Sequence, residues 1–142
     1  MNVLLQPDCN VKGPLMKHRV LVVDDNPDSV AIMRGILEGR GYDVAAAHSG
    51  TEALQFLKTE TVDLVLLDIM MPEMSGMEVL QRIKEDAATG RLPVILVTAK
   101  TQDEDVLSGY QYGADYYITK PFTAKQLLYG IELILGKGES VG

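Results

Sequence analysis

The reading of this chain turns on Leu64-Val65-Leu66-Leu67-Asp68, which runs on into Ile69-Met70-Met71-Pro72-Glu73-Met74-Ser75-Gly76. Four consecutive aliphatic residues without polar alternation describe a strand covered on both faces, the pattern of a parallel sheet with helices on either side. The strand is read as spanning about residues 63–68. Its last residue is an aspartate at the carboxyl end, where a loop containing Pro72 and Gly76 leads out. Ligands of open α/β sheets bind at that edge. A carboxylate placed there is either an anchor for a metal or a group that reacts.

Upstream, Arg19-Val20-Leu21-Val22-Val23 is a strand of the same kind and ends in Asp24-Asp25-Asn26. Asn26 can cap a helix whose first residue is Pro27, where a missing N–H does no harm. Val30, Met33 and Leu37 recur at helical spacing, Ile32 and Ile36 widen the stripe, and Gly39 or Gly41 stops it. Residues 43–47 make a weaker strand, expected at a sheet edge. Ser49-Gly50-Thr51-Glu52 reads as a capping box opening a helix with Ala53, Leu54 and Leu57 inside.

Downstream, Ser75-Gly76-Met77-Glu78 is a second capping box, with Met77, Leu80 and Ile83 facing inward. Residues 93–98 form a fourth strand, with Pro93 tolerated at its start. Thr101 caps a fourth helix whose apolar face (Val106, Leu107, Tyr110) is thin and which has Gly109 in its interior, so a soft, movable element is expected. Residues 116–119 are a fifth strand, followed by Lys120-Pro121-Phe122. Thr123 to Gln126 caps a last helix with Leu127, Leu128, Ile131, Ile134 and Leu135 inside, closed by Gly136 and Gly138.

Each crossover between strands is long enough only for a helix, so the sheet is parallel. Five strands are too few for a closed eight-stranded barrel. The expected fold is α/β: a doubly wound, flavodoxin-like five-stranded parallel sheet of order 2-1-3-4-5. Residues 1–17, with Pro7, Cys9, Gly13 and Pro14 and no periodicity, are expected to be a loose arm; residues 18–136 one domain; and residues 137–142 a tail.

The bulk numbers narrow the function classes. With 142 residues the chain has room for one domain with a real core. A net charge of -7 disfavours a nucleic-acid or anionic-membrane surface. The single cysteine, Cys9, makes no internal disulfide, and no Cys/His cluster offers a zinc site. No apolar run is long enough to span a bilayer, and the N-terminus lacks the basic region of a secretory signal. A cytoplasmic location without membrane insertion or direct nucleic-acid binding is the expectation.

The fold brings four strand ends to one edge. The first delivers Asp24 and Asp25, the third Asp68, the fourth Thr98, and the turn after the fifth Lys120. Crowded carboxylates repel, and a divalent cation relieves the repulsion. The donors are all oxygen, which points to Mg²⁺ or Mn²⁺. Lys120 suits one phosphate oxygen and Thr98 another. With charge so offset, Asp68 could attack phosphorus and form an acyl phosphate.

At these blocks the chain resembles a response-regulator receiver domain, the phosphoacceptor half of two-component signalling, of the chemotaxis-type single-domain form. The matching residues are Val22-Val23-Asp24-Asp25, Leu67-Asp68-Ile69-Met70-Met71-Pro72, Gly76, Thr98-Ala99, Gly113-Ala114-Asp115 and Tyr117-Ile118-Thr119-Lys120-Pro121-Phe122, in order at the right strand ends. The resemblance implies that Asp68 is the phosphoacceptor. Asp25 and Asp68 would bind Mg²⁺ directly with the backbone carbonyl of Met70, Asp24 acting mainly through water. Thr98 would be the switch hydroxyl, Lys120 the phosphate partner and Tyr117 the aromatic that swings inward behind Thr98. The Lys120-Pro121 bond would be cis. Tyr116 stands where an acidic residue is frequent. Met70 and Lys100 border the path of the hydrolytic water, and Met70 cannot orient it, so dephosphorylation should not be unusually fast.

The implied function is a signalling switch. A sensor histidine kinase or phosphotransfer domain would donate a phosphoryl group from phosphohistidine to Asp68. The fourth helix, fifth strand and fifth helix would present the change to a downstream protein target, with homodimerisation on activation a further expectation. Such a protein catalyses its own phosphorylation and dephosphorylation but is not a turnover enzyme. The alternatives are a receiver fragment of a larger regulator or hybrid kinase, a Mg²⁺-dependent aspartyl phosphatase, a nucleotide or flavin module, and a docking module that is never phosphorylated. Against the phosphatase, Met70 stands where such enzymes usually carry a second Asp. Against the nucleotide module, the loop after the first strand is acidic rather than rich in Gly, Ser or Thr.

Overall fold

Leu64–Leu67 forms β3, the central strand of the sheet, and its four side chains are at most 1% exposed. The computed structural model describes residues 17–99 and 103–136. The expected arm up to residue 16, the tail 137–142, the cap at Thr101 and Lys100 beside the water path lie outside the described residues. The elements alternate along the chain: β1 (Arg19–Val23), α1 (Pro27–Glu38), β2 (Asp43–Ala47), α2 (Gly50–Thr59), β3, α3 (Gly76–Glu85), β4 (Val94–Thr98), α4 (Asp103–Gln111), β5 (Tyr116–Thr119) and α5 (Ala124–Leu135). All pairings are parallel and the sheet order is β2-β1-β3-β4-β5, as expected from the sequence.

The unbroken apolar runs serve two cores at once, because successive strand residues point to opposite faces. Val20, Val22, Leu64, Leu66, Ile95, Val97 and Ile118 meet Val30, Met33 and Leu37 of α1 and Leu127, Leu128 and Ile131 of α5. Leu21, Val23, Val65, Leu67, Val94 and Leu96 meet Ala53 of α2 and Val79, Leu80 and Ile83 of α3. Each fully buried aliphatic contributes roughly 1.5–3 kcal/mol of apolar transfer. The outcome is a stiff sheet whose carboxyl edge holds its side chains in fixed relation.

Several local expectations change. Ile32 is 58% exposed and lies off the buried stripe of α1. Met77 is only half-buried, and Val79 takes the inward position beside Leu80 and Ile83. The first two capping boxes are one-sided. Ser49 Oγ accepts from Glu52 N–H at 3.1 Å, but the Glu52 carboxylate takes the N–H of His48. Glu78 turns to Arg82 at 3.0 Å instead of reaching back to Ser75. Thr123 and Gln126 form the complete reciprocal box. In α4, Leu107 and Tyr110 of the expected apolar face are exposed, whereas Gly109 is buried. A Cβ at Gly109 would stand 2.7 Å from Leu96 Cδ1 and 3.5 Å from the Tyr117 ring, so this glycine is where the helix approaches the sheet. No helix among the described residues is long and apolar enough to cross a membrane.

Candidate functional site

The carboxyl ends of β1 and β3 stop in register, with Val23 beside Leu67, while β4 pairs Leu96 with Leu67 and runs two residues further, to Thr98. That alignment sets Asp24 and Asp68, each one residue beyond its strand, side by side. Backbone bonds lock both: Asp24 N–H donates to Ala47 O at 3.1 Å and Asp68 N–H to Val23 O at 3.0 Å. Asp24 is fully buried, Asp68 is 7% exposed and Thr98 is fully buried, whereas Asp25 is exposed. One carboxylate oxygen from each of Asp24, Asp25 and Asp68 falls within 4.8 Å of the others, a cluster that could hold a metal ion.

Lys120 enters from the turn after β5. Its backbone N–H donates to Thr98 O at 2.9 Å, tying the turn to the end of β4. The Lys120-Pro121 bond is cis. The ammonium donates to Asp24 Oδ2 at 2.7 Å, to Asp68 Oδ2 at 3.3 Å and to Ser29 Oγ at 3.3 Å. Partial burial works against the charge on Lys120. The hydrogen bond to Asp24 and the nearby charge of Asp68 outweigh it and hold the pKa above the ordinary lysine value of 10.5.

The remaining carboxylate oxygens are also spoken for in part. Asp24 Oδ1 accepts the N–H of Asn26 at 3.0 Å, and Asp68 Oδ1 accepts the N–H of Met70 at 3.1 Å. The loop after Asp68 closes tightly: Met71 and Gly76 both donate their N–H to Ile69 O. Glu73 takes the left-handed conformation at φ 67°. Gly76 has no space for a Cβ, which would run into the carbonyl group of Asp68 and stand 2.7 Å from Ile69 Cα. The glycine therefore lets α3 start against the backbone that carries Asp68.

Three carboxylates and one ammonium leave a formal charge of -2 at the edge (-3 + 1). Two like charges 4.8 Å apart repel by about 3.5 kcal/mol at an effective dielectric near 20. The all-oxygen donor set suits a hard divalent cation that keeps waters, such as Mg²⁺. Asp24, Asp25, Asp68 and Lys120 are thus brought to one place as expected. Thr98 sits at the same edge, joined to the Lys120 turn through its carbonyl. Tyr117 lies one β5 position from Ile118, half-buried against the core on the α2–α3 side.

Sequence reasoning missed Ser29. No spacing rule links it to Lys120, which lies 91 residues away.

A doubly wound parallel sheet with three carboxylates and a lysine at its carboxyl edge defines an α/β module with a candidate divalent-cation site. The response regulator receiver domain family model matches residues 20–132, and the chain belongs to that family. The DNA-binding response regulator MtrA of Mycolicibacterium smegmatis is 38% identical over 124 residues, covering 87% of this chain and 53% of MtrA. The chain thus spans about half the length of the curated relatives it matches. A putative response regulator from Chloroflexus aurantiacus superposes with a TM-score of 0.82 at 31% identity, covering 86% of this chain and all of that one. The receiver domain of sensor histidine kinase PA1611 from Pseudomonas aeruginosa, with a magnesium ion coordinated in its active site cleft, gives a TM-score of 0.79 at 25% identity, covering 86% and 100%.

Proposed function

We propose that this chain is a phosphorylation-activated switch in which Asp68 takes a phosphoryl group from a phosphohistidine of a sensor histidine kinase or phosphotransfer domain. The observation that carries this is the lysine bridge: one ammonium held between Asp24 and Asp68, in a cluster of three carboxylates. In the reaction an Asp68 oxygen attacks phosphorus, the P–N bond breaks, and the imidazole, protonated on its other ring nitrogen in the donor, leaves as the neutral ring.

Asp25 and Asp68, with the Met70 carbonyl, would hold Mg²⁺ directly; Asp24, which takes the shorter of the two contacts from Lys120, would act through water. The metal supplies positive charge to the phosphoryl oxygens in transfer. That a related receiver domain was solved with magnesium in its cleft supports the assignment. Asp24 holds Lys120, and Lys120 takes a phosphoryl oxygen once Asp68 is modified. Thr98 offers its hydroxyl to another oxygen, and Tyr117 follows it inward. The added charge of roughly -1.5 to -2 biases an existing equilibrium, read out on the α4–β5–α5 face by a downstream protein or a second copy of the chain.

The chain would catalyse its own modification without being a turnover enzyme. Since a curated relative is named as DNA-binding and the match covers only about half of its length, this chain would serve either as a switch acting by protein contact or as the receiver part of a longer regulator. Incubation with Mg²⁺ and acetyl phosphate, read by mass spectrometry, should show one added phosphoryl group, absent in Asp68→Asn. Failure to gain mass with either that donor or a cognate kinase would exclude the reading.

A further inference from the structure

An ammonium has three N–H donors and accepts nothing. Lys120 has three acceptors around it from three elements: Asp24 after β1, Asp68 after β3, and Ser29 in the first turn of α1. Ser29 is neutral and stands outside the acidic cluster. Its hydroxyl is also not consumed by helix capping, because Asn26 Oδ1 takes the N–H groups of Asp28 and Ser29 at 2.8 and 3.3 Å.

We propose that Ser29 is a positioning residue for Lys120: with Asp24 it holds two of the three ammonium protons, so that the third is aimed at Asp68 and at the phosphoryl group formed there. A single contact to Asp24 would leave the ammonium free to rotate about its terminal C–N bond and to swing around the carboxylate. A second contact from α1 removes that freedom. A hydroxyl suits the task better than either alternative. A carboxylate would add charge to a site already at -2 and compete with the phosphoryl group for the lysine. An apolar side chain would return one donor to water. The phosphoryl part of this inference rests on the proposed function; the Ser29–Lys120 contact does not.

The test uses the full chain labelled with ¹⁵N-lysine, together with Ser29→Ala and Ser29→Thr. Proton–nitrogen correlation spectra at low temperature report how fast each ammonium exchanges with water, and Lys120→Arg assigns the signal. The wild-type Lys120 signal should be protected. Ser29→Ala should exchange about fivefold faster or more, and Ser29→Thr should recover protection. With acetyl phosphate and Mg²⁺, Ser29→Ala should be phosphorylated about three- to tenfold more slowly, the loss expected for one hydrogen bond to a charged group at a partly exposed site. Ser29→Thr should restore the rate, and Mg²⁺ affinity should stay within about twofold in both. Unchanged exchange and rate in folded Ser29→Ala would overturn the proposal, as would a folded Ser29→Thr that restores neither, since the loss would then be one of packing. If the wild type takes up no phosphoryl group, the switch function is refuted, while the exchange comparison still decides whether Ser29 holds Lys120.

Discussion

Replacing Lys120 by Met keeps most of the side chain's volume and removes its charge. The structure gives the size of the effect. Contacts of 2.7 Å to Asp24 and 3.3 Å to Asp68 correspond to roughly 6 and 5 kcal/mol of gross attraction at an effective dielectric near 20. Desolvation of the ammonium offsets much of this, and breaking one side of a buried ion pair typically destabilises by about 3–5 kcal/mol. The Lys120 side chain keeps 21% exposure, so the lower end, about 3 kcal/mol, applies. In EDTA the urea midpoint should fall by about 1.5–2 M for a domain of this size. A divalent cation should then replace the lost charge. In Mg²⁺ the variant should regain at least about 1.4 kcal/mol relative to wild type, the equivalent of tenfold tighter binding once the ammonium no longer competes for Asp24 and Asp68. Phosphorylation of the variant should nonetheless be slower, because Lys120 is gone from the phosphoryl oxygen. Urea titrations by circular dichroism, with and without Mg²⁺, check this. An unchanged midpoint in EDTA, or an equal loss with and without Mg²⁺, would refute the reasoning that Lys120 neutralises a crowded carboxylate site.

Two further substitutions probe the frame and the readout. Gly76→Ala forces a methyl group into the backbone of Asp68 and Ile69, so it should destabilise by about 2 kcal/mol or more and weaken Mg²⁺ binding, as read by urea unfolding and metal titration. Wild-type stability with wild-type metal affinity would show that the loop yields freely. Thr98→Ala should still gain one phosphoryl group but should not change partner affinity on phosphorylation; normal switching in that variant would contradict a coupling role for the hydroxyl.

The strands were legible because burial on both faces leaves no room for polar alternation, and the site was legible because the strand order decides which ends meet. Asp24, Asp68 and Lys120 converge from positions up to 96 residues apart for that reason alone. Finer features depend on choices that local sequence does not encode. The Glu52 carboxylate takes the N–H of His48, and that of Glu78 takes Arg82. Ile32 is apolar, yet it falls on the far side of α1 from Val30, Met33 and Leu37, the residues that face the sheet. Ser29 became part of the site only through the angle at which α1 leaves β1.

Gly109 shows how one residue can carry opposite meanings in sequence and in structure. As a glycine inside a helix it weakens α4 by about 1 kcal/mol relative to alanine. In the fold, the missing side chain is what allows α4 to approach Leu96, whose Cδ1 would stand 2.7 Å from a Cβ there. Among residues 106–111 of α4, Gly109 is buried, Val106 and Ser108 are half-buried, and Leu107 and Tyr110 are exposed. Beyond the end of α4 the chain is pinned at Asp115, which accepts from Lys84 Nζ at 3.3 Å and from the N–H of Val94 at 2.8 Å and donates its own N–H to Val94 O. Under the proposed function, an inward rotation of Tyr117 would change the surface beside Gly109, and α4, with Leu107 and Tyr110 exposed, would shift with it.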